Sequence, residues 1–166
     1  MDLTGSSFFY ALAAISMTFV GFAAIVIALR QGTGLALTPL QILTTKQYIE
    51  FGLAACGFAM LAPFLSLCGL SDDATWRAAS AIILVLRSFL FAVYPRRRKR
   101  AAPDEALPLR FWINLAIFAA IAVTLAGNVV GWPYAPQAAP VALAACHTLV
   151  VAAALFLRTF KIFLDR

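Results

Sequence analysis

Long stretches with no Asp, Glu, Lys or Arg dominate the chain: residues 8–29, 51–71, 111–137 and 138–157. Each reaches the roughly 20 apolar residues that a helix needs to cross about 30 Å of hydrocarbon. A further stretch, 78–94, is interrupted only by Arg87, with Trp76 before it and a basic cluster after it. Membrane β-strands alternate apolar and polar residues over about ten positions. Continuous apolar runs do not alternate, and in lipid only a helix satisfies the backbone of such a run from within. The composition agrees: 63% of residues are hydrophobic and 12% charged, against about 45–50% and 25% in soluble domains. The expected fold is an all-α integral membrane protein, one transmembrane domain over residues 1–166, with five spans near 8–29, 47–70, 77–94, 111–132 and 138–158.

The first run is expected to be a retained span. A cleaved leader carries a basic start and an apolar stretch of about 7–15 residues, whereas here Asp2 precedes a longer run and no base does. Lys and Arg in connecting loops set orientation. Of the 13 bases, all but Arg77 and Arg87 fall on one side if five spans alternate. This predicts an outside N-terminus and a cytoplasmic C-terminus, in a bacterial inner membrane. The same rule accounts for the net charge of +6 without a nucleic-acid partner. Tyr10, Trp76, Trp132 and Tyr134 are expected at the outer interface, and Tyr48, Tyr94 and Trp112 at the inner one, where amphipathic rings settle.

Between spans one and two, Thr38-Pro39 reads as an N-cap with Pro at the first helical position. Leu40, Ile42 and Leu43 then predict a short interfacial helix able to run on into span two. Pro63 is a candidate kink, because proline removes a backbone donor and crowds the preceding turn. Pro95 is expected to end span three, with Pro103 and Pro108 keeping the basic loop irregular. No internal repeat is present, so an inverted-repeat transporter plan is not supported. Cys56, Cys68 and Cys146 lie in spans without CxxC spacing, indicating neither a disulfide framework nor a zinc site.

Ionisable and amide side chains within a span are functional candidates by default. Here they are Glu50, Arg87, Asn114, Asn128 and His147. Arg87 costs about 2.5–3.5 kcal/mol on the insertion scale near the span centre. It either snorkels towards inner headgroups or a carboxylate, or serves an anion site or a conducting path. The sharpest expectation is that Arg87 turns inwards and pairs with Glu50 on the adjacent antiparallel span. Glu50 otherwise has Lys46 four residues back on the same helix face. His147, the only histidine, reads as a hydrogen-bonded packing residue before a ligand, and one chain cannot supply bis-His haem. Asn114, Thr124 and Asn128 form a stripe on span four suited to interhelical hydrogen bonds. Small-residue stripes on span two (Ala54, Gly57, Cys68) and span five (Ala144, His147, Val151, Ala154, Arg158) favour close helix packing. Arg96, Arg97, Arg98, Lys99 and Arg100 read as a topology signal and as contacts for anionic lipid.

Enzyme chemistry finds no footing. Ser66 and Ser88 sit in no GxSxG-like turn, no Asp lies within a span, and Asp72-Asp73 lacks further acids for a metal. No catalytic, cofactor or metal site is assigned. Two functions remain: a non-catalytic subunit, scaffold or assembly partner of a membrane complex, or a small oligomeric channel or transporter with a polar path near Arg87, His147 and Glu50. The expected partners are membrane lipids, anionic at the cytoplasmic face, and a second copy or another membrane protein.

Overall fold

The computed structural model describes residues 5–31 and 38–164. It contains α1 (Ser6–Gln31), α2 (Pro39–Leu67), α3 (Asp72–Ala101), α4 (Leu109–Val130) and α5 (Ala138–Leu164). All five helices are long and apolar enough to cross a membrane, and there is no strand among the described residues.

Helix boundaries follow local chemistry. Thr38 caps α2: its Oγ1 accepts from Gln41 N at 3.3 Å, while Gln41 Oε1 accepts from Thr38 N at 3.1 Å. This reciprocal box satisfies two donors that a helix start otherwise leaves open. The helix expected after Pro39 runs on into span two as the first turns of α2; residues 32–37 lie outside the described residues. Ser71 caps α3, and Asp72 and Asp73 occupy its positive first turn. Gly131 ends α4 in the left-handed conformation, φ 78°, which glycine adopts without a steric penalty.

The expectation that Pro95 ends span three is wrong. α3 runs through Pro95 to Ala101. Proline costs one hydrogen bond in the ladder, and two anchors hold the turns beyond it. Arg97 pairs with Glu50 of α2 at 2.6 Å, and Arg98 pairs with Glu105 of the following loop at 2.8 Å. Arg98, Lys99 and Arg100 also suit the negative end of the helix.

α5 is the central helix: it touches all four others and packs most extensively on α2. Its inward residues Val141, Ala144, Ala145, Thr148 and Ala152 are buried, and their small size lets neighbouring helices approach. Gly52 plays the same part between α2 and α1, where a Cβ would stand 2.5 Å from Val20 Cγ2.

The starts of α2 and α4 and the ends of α3 and α5 share a basic end. The α2–α3 and α4–α5 turns share the opposite end. The larger core cluster fills the opposite half with Phe9, Phe58, Trp76, Ile83, Ile121 and Leu125. A second cluster at the basic end gathers Phe19, Tyr48 and Phe156. Two expected interface markers belong to these interiors: Trp76 packs 5.7 Å from Phe9, and Tyr48 lies 5.6 Å from Phe156. Residue type alone places both rings at an interface, but each faces a neighbouring helix.

Candidate functional site

Arg87 is 2% exposed and lies where α3, α4 and α5 meet. Its guanidinium stands 2.7 Å from His147 Nδ1, donates to Ala144 O at 3.3 Å and lies 5.4 Å from the centre of the Phe118 ring. A guanidinium only donates, so Nδ1 accepts and the imidazole proton sits on Nε2. That Nε2 is buried with no hydrogen-bond partner among the described residues. The expected pairing of Arg87 with Glu50 is overturned, as is snorkelling. Arg87 points across the bundle, where an imidazole and a carbonyl of α5 and an aromatic face of α4 surround the charge.

Glu50 instead takes both oxygens to Arg97 Nη1, at 2.8 and 2.6 Å. This pair replaces the expected partner Lys46, because the continuation of α3 beyond Pro95 brings Arg97 alongside α2. Arg98 is 6% exposed and binds Glu105 and Ala106 O. Two members of the basic run thus fasten the fold, while Arg96, Lys99 and Arg100 remain exposed.

Asn128 is wholly buried at the opposite end. Its Nδ2 donates to Ser80 Oγ at 2.8 Å, Gln137 O at 3.1 Å and Trp76 O at 3.4 Å, and its Oδ1 accepts from Gln137 N at 2.8 Å. Arg77 donates to Val129 O and Val130 O, and the Tyr134 hydroxyl to Thr124 O. Both polar atoms of the Asn128 amide are engaged in joining α3, α4 and the turn before α5. The stripe expected on α4 therefore divides: Asn128 crosses between elements, Thr124 Oγ1 bonds Ile121 O of its own helix, and Asn114 lines a cavity.

That cavity opens at the basic end between α2, α3, α4 and α5 and encloses about 70 Å³. Its polar lining is Gln47, Tyr94, Arg110, Asn114 and Arg158, and Phe51, Phe91, Phe111 and Val151 contribute apolar wall. Phe91 and Val151 lie one helical turn beyond Arg87 and His147. Of the polar lining residues, only Asn114 is a site candidate from sequence. In the sequence Arg110 is one more loop base, and Arg158 is one end of a packing stripe. Gln47 carries no signal there beyond being an amide near a span start. A lateral groove of about 520 Å³ runs between α2 and α3, lined by Glu50, Ala54, Gly57, Leu61, Leu86 and Phe89 among others. The small-residue stripe of α2, expected to serve close helix packing, faces outwards at Gly57.

No protein-family model matches the chain, and no curated protein or solved structure matches it either.

Proposed function

We propose that the chain is a non-catalytic, multi-pass component of the inner membrane. It would act as a subunit or assembly partner that binds a helix of another membrane protein or of a second copy. One observation carries this reading: the candidate polar groups deep in the spans are engaged inside the bundle, whereas a largely apolar groove of about 520 Å³, lined in part by Ala54 and Gly57, stays open to the side. Arg87 is matched by His147 and Ala144, and Asn128 by Ser80, Trp76 and Gln137. The layer between Arg87 and Asn128, built from Ile83, Ile121, Leu125 and Val141, is 0–3% exposed. A closely packed apolar layer of that kind offers ions no path through one chain. In the groove, a Cβ added at Gly57 would meet nothing within 4 Å, and small groove residues are what a close helix approach requires.

The test is Gly57→Leu in the full chain, followed by native electrophoresis and crosslinking in membranes. Loss of a larger species with the thermal melt retained supports the reading. A monomer for both proteins, with no co-purifying partner, refutes it. The cavity at the basic end favours a second reading, a transporter whose cytoplasmic vestibule is this cavity. Flux of a small anion into protein-loaded liposomes, abolished by Arg87→Gln, would select it.

A further inference from the structure

We infer that the cavity at the basic end binds the anionic head of a single-tailed amphiphile, a phosphate or carboxylate carried on an apolar chain. Arg110 from the start of α4 and Arg158 from the last turns of α5 line one cavity, and no acidic residue among the described residues lines it. Neither guanidinium has a hydrogen bond or ion pair among the described residues. The nearby carboxylates are spent elsewhere, Glu50 on Arg97 and Glu105 on Arg98. The start of α4 itself faces the cavity through Pro108, and no side chain caps it. The first N–H groups of a helix lack intrahelical partners and favour an anion.

Gln47 supplies an independent sign. It is 8% exposed, lines the cavity, and makes no hydrogen bond among the described residues. Its amide N–H groups are free donors at the cavity, and an oxyanion there would accept from them. Tyr94 and Asn114 add donors at the same mouth. Beneath the polar rim, Phe51, Phe91, Phe111 and Val151 offer an apolar wall, with Phe51 and Phe91 6.5 Å apart and Phe91 stacked on Phe118 at 4.6 Å. An anion alone would use only the rim, whereas an amphiphile would use rim and wall together.

The experiment is a thermal melt of the full chain in neutral detergent, titrated with lysophosphatidic acid, lysophosphatidylcholine or inorganic phosphate. Lysophosphatidic acid should raise the melting temperature saturably, and the other two should not at equal concentration. Arg110→Gln with Arg158→Gln should raise the half-saturating concentration about tenfold or more, since each removes charge-assisted hydrogen bonds. Gln47→Leu should weaken binding in the same direction. Arg96→Gln with Arg100→Gln, on the exposed basic run, should leave it within about twofold. Equal shifts from the choline lipid would overturn the anion site. An equal shift from phosphate would remove any role for the tail. Equal losses from the Arg96/Arg100 variant would assign the effect to the basic surface rather than the cavity.

Discussion

At the scale of single residues, the polar groups buried in the spans differ in how much depends on them. Arg87 and His147 hold each other in the buried interior of the bundle. His147→Leu leaves the guanidinium with Ala144 O and a ring face, and Arg87→Met leaves Nδ1 without a donor. Each should cost about 1–3 kcal/mol in detergent unfolding, the typical penalty of a stranded buried group. The double variant should cost less than the sum, because replacing both members of a buried polar pair removes the stranding. Strict additivity would mean the two side chains do not interact. Asn128→Leu should cost at least as much, since the Ser80 hydroxyl and the Gln137 N–H lose their partner together. Asn128→Asp should be no milder, as it keeps one acceptor but deletes the Nδ2 donors. Glu50→Gln should stay under about 1 kcal/mol, the usual range for an exposed ion pair, because the Glu50 and Arg97 side chains are 38% and 41% exposed. The sequence exposed these residues by their polarity alone. Their pairing stayed hidden because it depends on how each helix is rotated, and a run that is apolar on every side carries little information about rotation.

At the scale of helices, the turn signals were readable and the passage through Pro95 was not. Thr38-Pro39 marks the start of α2 because capping is local chemistry, complete within four residues. Whether a helix continues past an internal proline is not settled by local pattern; here the turns beyond Pro95 meet Glu50 of α2 and Glu105 of the following loop. Nor did the central position of α5 emerge as such, although its alanines pointed to close packing. Gly52 gives the sharpest test at this scale. Its missing Cβ would overlap Val20, so Gly52→Ala should destabilise the α1–α2 contact by about 1–3 kcal/mol, as overpacking does. Trimming the opposing residue with Val20→Ala should recover part of that loss in the double variant. If Gly52→Ala unfolds at the wild-type denaturant concentration, α1 does not approach α2 this closely. Gly57→Ala is the internal control. With open space around it, it should be neutral or stabilising by up to about 1 kcal/mol, the helix cost of glycine.

At the scale of the molecule, the number of long apolar helices and the distribution of bases were both legible, because each is a property of composition along the chain rather than of contacts. Five helices in series put the α3–α4 loop at one end and the α4–α5 turn at the other. The basic residues Arg96, Arg97, Arg98, Lys99, Arg100, Arg110 and Arg158 all gather at the first of these ends. Arg77, the one base near the connections at the opposite end, spends its Nη1 donors on the carbonyls that close α4, so it acts there as a helix cap. Bases near span ends are retained on the cytoplasmic side, which predicts that the basic end lies inside and the α2–α3 turn outside. Cys68 is a natural reporter: it is exposed at the end of α2, whereas Cys56 and Cys146 are half-buried in the spans. A membrane-impermeant maleimide should therefore label intact cells at Cys68, and Cys68→Ser should abolish most of that label. A cysteine introduced as Asp104→Cys, in the basic loop, should react only after the membrane is opened. Labelling of Asp104→Cys in intact cells, with Cys68 protected, would invert the orientation. It would also place the anionic-amphiphile cavity at the outer leaflet.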